Sequence, residues 1–256
     1  MKNILYLFTF LISAVSFSQD LSLQMNYDKS FISRMYLKDN NYVFELGRSG
    51  FISSIYIFDK PSDASMYMRN PETIYRPRFK VKAGRVSIYV SDINNVEYCR
   101  NYSNYVRAGV DGNVCSINGV KIDYYLKVGD NSRIGIVGKI KRIGNTSIKY
   151  HKNYSINVRN KTMGKLEAIG YRKFSYHAPT SVSISSGYAY NYKSIGGINF
   201  DYYKSYSGNV NQGFEGKIER LGNIRFYYHK SYSNRPKENV GKFKKKEGTD
   251  RRIFIF

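Results

Sequence analysis

The sequence predicts an all-β protein, an antiparallel meander sheet built from 26-residue repeats that each contribute two strands. The chain contains 26 Tyr and 15 Phe but no Trp, and these aromatic residues favour the half-buried, pleated surface of a sheet. One residue pattern recurs five times at a constant spacing of 26 residues. A fully extended unit would span about 85 Å at about 3.3 Å per residue. No domain of this size is that wide, so each unit must fold back at least once.

The repeated units begin at residues 112, 138, 164, 190 and 216. Their third and sixth positions are apolar, the seventh is Gly in all but the first unit, and the eleventh is Ile or Phe. The thirteenth position is Tyr in every unit: Tyr124, Tyr150, Tyr176, Tyr202 and Tyr228. Stacked units place identical side chains beside their copies, and each cross-strand aromatic pair contributes about 0.2–1 kcal/mol. We therefore expect these columns to form the core.

The seventh-position glycine, as in Gly144 and Gly222, allows two interpretations. It is either part of a tight hairpin turn with positive φ or a β-bulge inside a longer strand. The third and sixth positions have opposite parity, which indicates an irregularity between them. The rest of each unit is polar and variable, and it predicts a loop.

Residues 1–18 have the features of a secretory signal peptide. Lys2 provides a positive charge, an apolar run extends from Ile4 to Val15, and small residues precede Gln19. The run is shorter than the roughly 20 residues that a membrane helix needs. The sequence therefore predicts an exported protein without a transmembrane helix, located in the periplasm, in the outer membrane or outside the cell.

The remaining chain divides into three regions. Residues 19–85 form an N-terminal β region that three prolines break into short pieces. Residues 86–241 form the β-repeat region, which begins with a weaker copy of the unit. Residues 242–256 form a basic C-terminal tail.

The formal net charge of +22 favours contact with polyanions such as acidic glycans, lipid headgroups or nucleic acid. For an exported protein we expect acidic polysaccharide, lipopolysaccharide or another envelope component as partner, and no specific nucleic acid. A Lys-x-Tyr motif after the repeated Tyr could grip such a polymer by ion pairing and stacking. Alternatively, these are ordinary solvated loops, with lysines that protect sheet edges. The candidate residues are Lys152, Tyr154, Lys204, Tyr206, Lys230 and Tyr232.

Cys99 and Cys115 are the two cysteines of the chain. Export permits a disulfide between them. Two buried free thiols are the alternative, and two cysteines alone make a poor metal site.

Other candidate chemistry is weak. His151, His177 and His229 share one repeat column, but adjacent units lie about 9–10 Å apart, too far to share a zinc ion at about 2 Å per bond. No carboxylate pair or nucleophile motif stands out. We therefore assign no catalytic, metal-binding or cofactor-binding residue.

Two alternatives remain open. One is an outer-membrane β-barrel protein, suggested by the alternating C-terminal residues 253–256. Arg142 and Arg220 argue against it, because each would cost about 2–4 kcal/mol on a lipid-facing surface near the midplane. The other is an enzyme with a site in the non-repetitive N-terminal region.

Two features carry a family resemblance: the signal ending in Ser-Phe-Ser, and the units of the type Gly-Lys-Ile-x-x-Ile-Gly-Asn-x-x-Ile-x-Tyr. The chain resembles exported, Tyr- and Lys-rich repeat proteins of Bacteroidota over residues 112–241. That group has no established activity, so the resemblance implies export and repeat architecture alone. Together these features predict a non-enzymatic β-repeat protein with a structural or binding role in the cell envelope.

Overall fold

A computed structural model of the chain describes residues 21–26, 31–47, 50–71, 77–100, 102–206, 208, 210, 212–231 and 239–256. These residues form two β-sheets, one of seven strands and one of twelve. The predicted signal peptide lies outside the described residues.

The seven-stranded sheet contains most of the N-terminal region. Its strands are β1 (Leu21–Asn26), β2 (Phe31–Asp39), β3 (Tyr42–Leu46), β4 (Ile52–Ile57), β5 (Phe79–Ala83), β6 (Val86–Val90) and β19 (Ile253–Ile255). Their order is β19-β1-β2-β3-β4-β6-β5. Two pairs, β1 with β19 and β4 with β6, are parallel, and the others are antiparallel.

The twelve-stranded sheet is an antiparallel meander in sequence order from β7 to β18. It is open, with these two strands at its edges, and it matches the first of the predicted architectures. Its strands are β7 (Val96–Tyr98), β8 (Val114–Ile117), β9 (Val120–Tyr124), β10 (Ile140–Ile143), β11 (Thr146–Tyr150), β12 (Leu166–Ile169), β13 (Arg172–Tyr176), β14 (Tyr192–Ile195), β15 (Ile198–Tyr202), β16 (Ile218–Leu221), β17 (Ile224–Tyr228) and β18 (Phe243–Glu247).

Each unit places a tight turn and a bulge at different points. Gly144 has φ 51° and lies in a two-residue turn, since Ile143 pairs with Thr146. The bulge lies earlier, at Lys141, where the register shifts between β10 and β9. This bulge removes the parity conflict, and it lets the third-position and sixth-position side chains share the buried face.

Four of the repeated tyrosines each bond to the first strand of their own hairpin: Tyr124, Tyr150, Tyr176 and Tyr228. Tyr124 donates its hydroxyl hydrogen to the carbonyl oxygen of Val114, at 2.6 Å. Tyr228 makes the same bond to the Ile218 carbonyl oxygen at 2.8 Å. The rings are buried, and burial raises the pKa of their hydroxyls. The polar tips of these buried tyrosines are therefore satisfied inside the sheet.

The two sheets share one hydrophobic core. Leu37 and Phe44 of the first sheet belong to the same buried cluster as Ile143, Ile169 and Ile195 of the meander. Because neighbouring residues of a strand face opposite ways, the residues adjacent to Leu37 and Phe44 point to the other face of the first sheet. The first sheet, and not another repeat, thus covers the apolar columns.

The other face of the first sheet is covered by helix α1 (Pro61–Arg69). Tyr36 and Val43 pack there with Tyr67 and Met68 of this helix. Both faces of the N-terminal sheet are therefore packed. No helix in the described part of the chain is long and apolar enough to cross a membrane.

The segment 242–256, interpreted from sequence as a basic tail, contributes a strand to each sheet. β18 pairs with β17 at the edge of the meander, and β19 pairs with β1. At the other boundary, residues 86–90 belong to the first sheet, and the weaker copy supplies β7 to the meander.

A disulfide joins Cys99 to Cys115. It links the end of β7 to β8, two neighbouring strands at one edge of the meander. In the chain-entropy view, a crosslink over a loop of this size restricts the unfolded state by about 3 kcal/mol.

Candidate functional site

The segments between hairpins all lie at one end of the meander strands, because strand direction alternates along the sheet. The hairpin turns lie at the opposite end. We call these segments together the connector edge. It consists of the described residues of segments 99–113, 125–139, 151–165, 177–191, 203–217 and 229–242.

Each connector is closed at its base by a pair of backbone hydrogen bonds. The His151 amide donates to the Lys165 carbonyl oxygen at 2.9 Å, and the Gly164 amide donates back to the His151 carbonyl oxygen at 2.9 Å. Tyr125 and Tyr203 begin the same arrangement in their connectors. The connector is thus a closed loop with fixed ends.

Several connectors contain a short helical turn where the sequence predicts only a polar loop. These turns are α2 (Ser103–Ala108), a 3-10 turn (Gly129–Asn131), α3 (Ser155–Arg159) and α4 (Ser181–Ser185). At α4 the cause is local, since Thr180 and Ser183 form a reciprocal capping box. The sequence pattern did not indicate these short helical turns within the loops.

The column that contains the histidines ties three units to the next, through Tyr125, His177 and Tyr203. The Tyr125 hydroxyl donates to the Ile148 carbonyl oxygen at 2.9 Å, and Nε2 of His177 lies 3.1 Å from the Phe200 carbonyl oxygen. Burial lowers the pKa of His177, which favours the neutral ring at pH 7. These side chains have structural roles at the base of the connector edge.

A column of lysines at the second position of the unit is also structural. Nζ of Lys139 donates to the Gly164 carbonyl oxygen at 2.8 Å and lies 4.9 Å from the centre of the Tyr150 ring. Lys165 and Lys217 repeat this arrangement. Burial lowers the pKa of Lys139. These lysines are committed to internal contacts and are poorly placed for an external ligand.

The Lys-x-Tyr candidates lie on the connector edge, and their side chains are exposed. Tyr154 is 60% exposed and Tyr206 is 61% exposed, and each directly follows a turn that begins at Lys152 or Lys204. Lys230 is exposed in the last connector, whereas Tyr232 lies outside the described residues.

The motif is not continuous along the edge. In the connector between Tyr154 and Tyr206, the equivalent residue is Thr180. Two strands per unit at about 4.8 Å each therefore separate the two complete motifs by about 19 Å. The structure brings the candidates to one edge, but it does not bring them into contact.

Sequence reasoning missed the exposed aliphatic residues of the connectors. Ile156, Val158 and Ile184 are exposed on the helical turns, although their residue types predicted burial. The 26-residue spacing could have revealed them. It places Val158 and Ile184 at one equivalent position, and Tyr154 and the exposed Val128 at another.

Within the described ranges, no three His, Cys, Asp or Glu side chains are grouped so that they could hold a metal ion. Comparison with protein-family models, with curated proteins and with solved structures finds no match to this chain.

Proposed function

We propose that this protein is an exported, non-enzymatic β-repeat protein with a structural or binding role in the cell envelope. Its connector edge contacts acidic polymers, such as acidic polysaccharide or lipopolysaccharide. The signal-like residues 1–18 support export. The disulfide between Cys99 and Cys115 is compatible with an oxidising compartment.

The observation that carries the proposal is the exposure of Lys152 with Tyr154, and of Lys204 with Tyr206, at equivalent places on one edge. A lysine ammonium attracts sulfate, phosphate or carboxylate groups, while an exposed Tyr ring offers a flat surface. Lys230 extends the same row by one unit.

The connectors are prepared for binding in two ways. Their backbone is pinned at the base, as at His151 and Lys165, so little conformational freedom is lost when a ligand binds. Their charge is also one-sided: residues 151–163 contain Lys152, Arg159 and Lys161 and no acidic residue. A long polyanion could therefore follow the edge from one connector to the next.

The test is the affinity of the mature chain for heparin, an acidic polysaccharide, compared with neutral dextran. We expect heparin binding at low salt that weakens as salt is raised, because ions screen exposed charges. The triple variant K152E/K204E/K230E should bind heparin at least about tenfold more weakly, which is a loss of about 1.4 kcal/mol.

A matched control carries the same change in net charge on a different surface. Lys121, Lys149 and Lys173 are exposed on the outer face of the meander strands, and K121E/K149E/K173E should retain most of the heparin affinity. Equal losses in both variants would show that net charge alone governs binding. An absence of heparin binding at low salt would contradict the proposal.

A further inference from the structure

Large apolar side chains are exposed in a repeated pattern along the connector edge. The fourth residue of each connector forms one column, spaced by 26 residues, and its described Tyr and Val side chains are 60–66% exposed. This column contains Tyr102, Val128, Tyr154 and Tyr206.

A second column lies on the helical turns themselves, four residues later in each connector. It contains Val106, Val158, Ile184 and Val210, all exposed. Ile156 and Val182 add two further exposed aliphatic side chains between the columns. Each such residue alone would be unremarkable on a protein surface, but at least one occurs in each of the five connectors between residues 99 and 217.

Neighbouring connectors lie two strands, or about 9–10 Å, apart, so the columns form a stripe along the edge. Monomeric proteins rarely expose extended apolar surface unless it contacts a partner or a membrane. The connector edge therefore has an apolar character that the Lys-x-Tyr motif does not explain.

Basic side chains flank the stripe. Arg107 and Arg159 are exposed and directly follow Val106 and Val158 of the second column. Arg133 is also exposed, and it follows Ser132 at the equivalent position. The acidic residues of the described connectors are Asp111, Asp130 and Glu215, and Asp130 pairs with Arg133 at 3.9 Å on the surface. Aliphatic and Tyr side chains bordered by Arg and Lys are the composition of surfaces that lie on anionic membranes.

We propose that the connector edge docks on an anionic lipid surface. Val, Ile and Tyr side chains of the two columns enter the headgroup layer, and the flanking Arg and Lys pair with lipid phosphates. This inference rests on the proposed function, because the same edge carries both contacts, and it names the partner more narrowly.

Lipid explains the aliphatic side chains better than the other occupants do. An acidic polysaccharide offers charges but no apolar phase for Ile156, Val158 or Ile184. A second copy of the chain would bring two basic edges together, and their like charges would repel. An anionic bilayer attracts each Lys or Arg near its surface, and it also accepts apolar side chains.

The test is flotation of the mature chain with vesicles that contain phosphatidylglycerol, compared with vesicles of phosphatidylcholine alone. We expect binding to the anionic vesicles and little binding to the neutral ones. The variant I156S/V158S/I184S, which keeps every charge, should lose at least about tenfold in vesicle affinity and keep its heparin affinity.

A control variant removes exposed apolar side chains elsewhere. F51S/M66S/F79S changes residues of the N-terminal sheet region that are exposed to a similar degree, and it should bind vesicles as the unchanged chain does. Circular dichroism checks that both variants keep the β-rich fold.

The outcomes separate the two proposals. Heparin binding without vesicle binding would overturn the lipid inference and leave the proposed function standing. Equal vesicle affinity of I156S/V158S/I184S and the unchanged chain would also overturn the inference. Self-association that this variant abolishes, measured by sedimentation without vesicles, would assign the stripe to a second copy instead. Failure to bind either probe would overturn both proposals.

Discussion

Asp39 and Arg172 form an ion pair between the two sheets. Nη1 of Arg172 lies 2.8 Å from Oδ1 of Asp39, and the side chains are only 3% and 8% exposed. The Thr146 hydroxyl donates to the other carboxylate oxygen at 2.6 Å. A buried pair adds little compared with apolar packing, but removal of one member leaves a charge that is poorly balanced in the interior.

We therefore predict that D39A destabilises the protein by about 3 kcal/mol or more, measured by urea unfolding. The matched control is D123A, because Asp123 pairs with Arg142 on the exposed outer face. That change should cost less than about 1 kcal/mol. Similar costs for the two variants would contradict a buried ionic contact between the sheets.

At the residue scale, contacts that recur from unit to unit could be predicted from the sequence, whereas a contact that occurs once could not. The Tyr column could be assigned to the core because every copy has the same neighbours, and Tyr124 and Tyr228 are both buried. The pairing of Asp39 with Arg172 spans 133 residues and occurs in one unit only. No periodicity marks such a contact, so sequence reasoning could not find it.

A glycine opens four of the five units, all except the unit that begins at Tyr190, and the space around it differs between units. A Cβ atom added to Gly164 would lie 2.5 Å from the Ile134 carbonyl oxygen in the preceding connector. The equivalent Gly112 has nothing within 4 Å of such an atom. Both have similar positive φ angles, 75° and 76°, so the two sites differ mainly in the space around them.

This pair gives a prediction about the connector element. G112A should cost about 1–2 kcal/mol, the usual penalty of a left-handed conformation for a residue with a side chain. G164A should cost at least about 1 kcal/mol more, because the added carbon collides with backbone. Thermal unfolding measures both, and equal losses would show that the connectors are not tightly stacked.

The hairpins could be predicted from sequence, whereas the connectors could not. Seventh-position glycines such as Gly144 mark the turns, because the turn needs positive φ. In the sequence, the bulge at Lys141 was visible only as a conflict of parity between the third and sixth positions. That conflict did not show at which residue the bulge lies. The helical turns are short, and β-branched residues such as Ile156 and Val158 disfavour helix. Helix propensity therefore did not predict these turns.

At the scale of the whole molecule, the two halves of the chain differ in predictability. The meander follows from its period. The N-terminal sheet has no period, and its order depends on long-range partners, such as β19 of residues 253–255 beside β1. Contacts between chain ends leave no local pattern, so this sheet could be predicted as β-structure but not as a topology.

The two sheets together produce an asymmetric molecule. One face of the meander is buried by the N-terminal sheet, so the connector edge, the hairpin turns and the outer face remain for partners. Only the connector edge combines fixed backbone, exposed apolar columns and flanking basic residues. The candidate lysines were visible in the sequence, but their apolar neighbours became visible only when the connectors were placed on one edge.

Hydroxyl-radical footprinting tests the role of the connector edge most directly, because it reports the solvent access of individual side chains. Tyr154 and Tyr206 lie on this edge, while Tyr171 is 74% exposed at the hairpin turns on the opposite end of the strands. With heparin bound, oxidation of Tyr154 and Tyr206 should fall several-fold and that of Tyr171 should stay unchanged. Protection of Tyr171 alone, or equal protection of all three, would contradict binding through the connector edge.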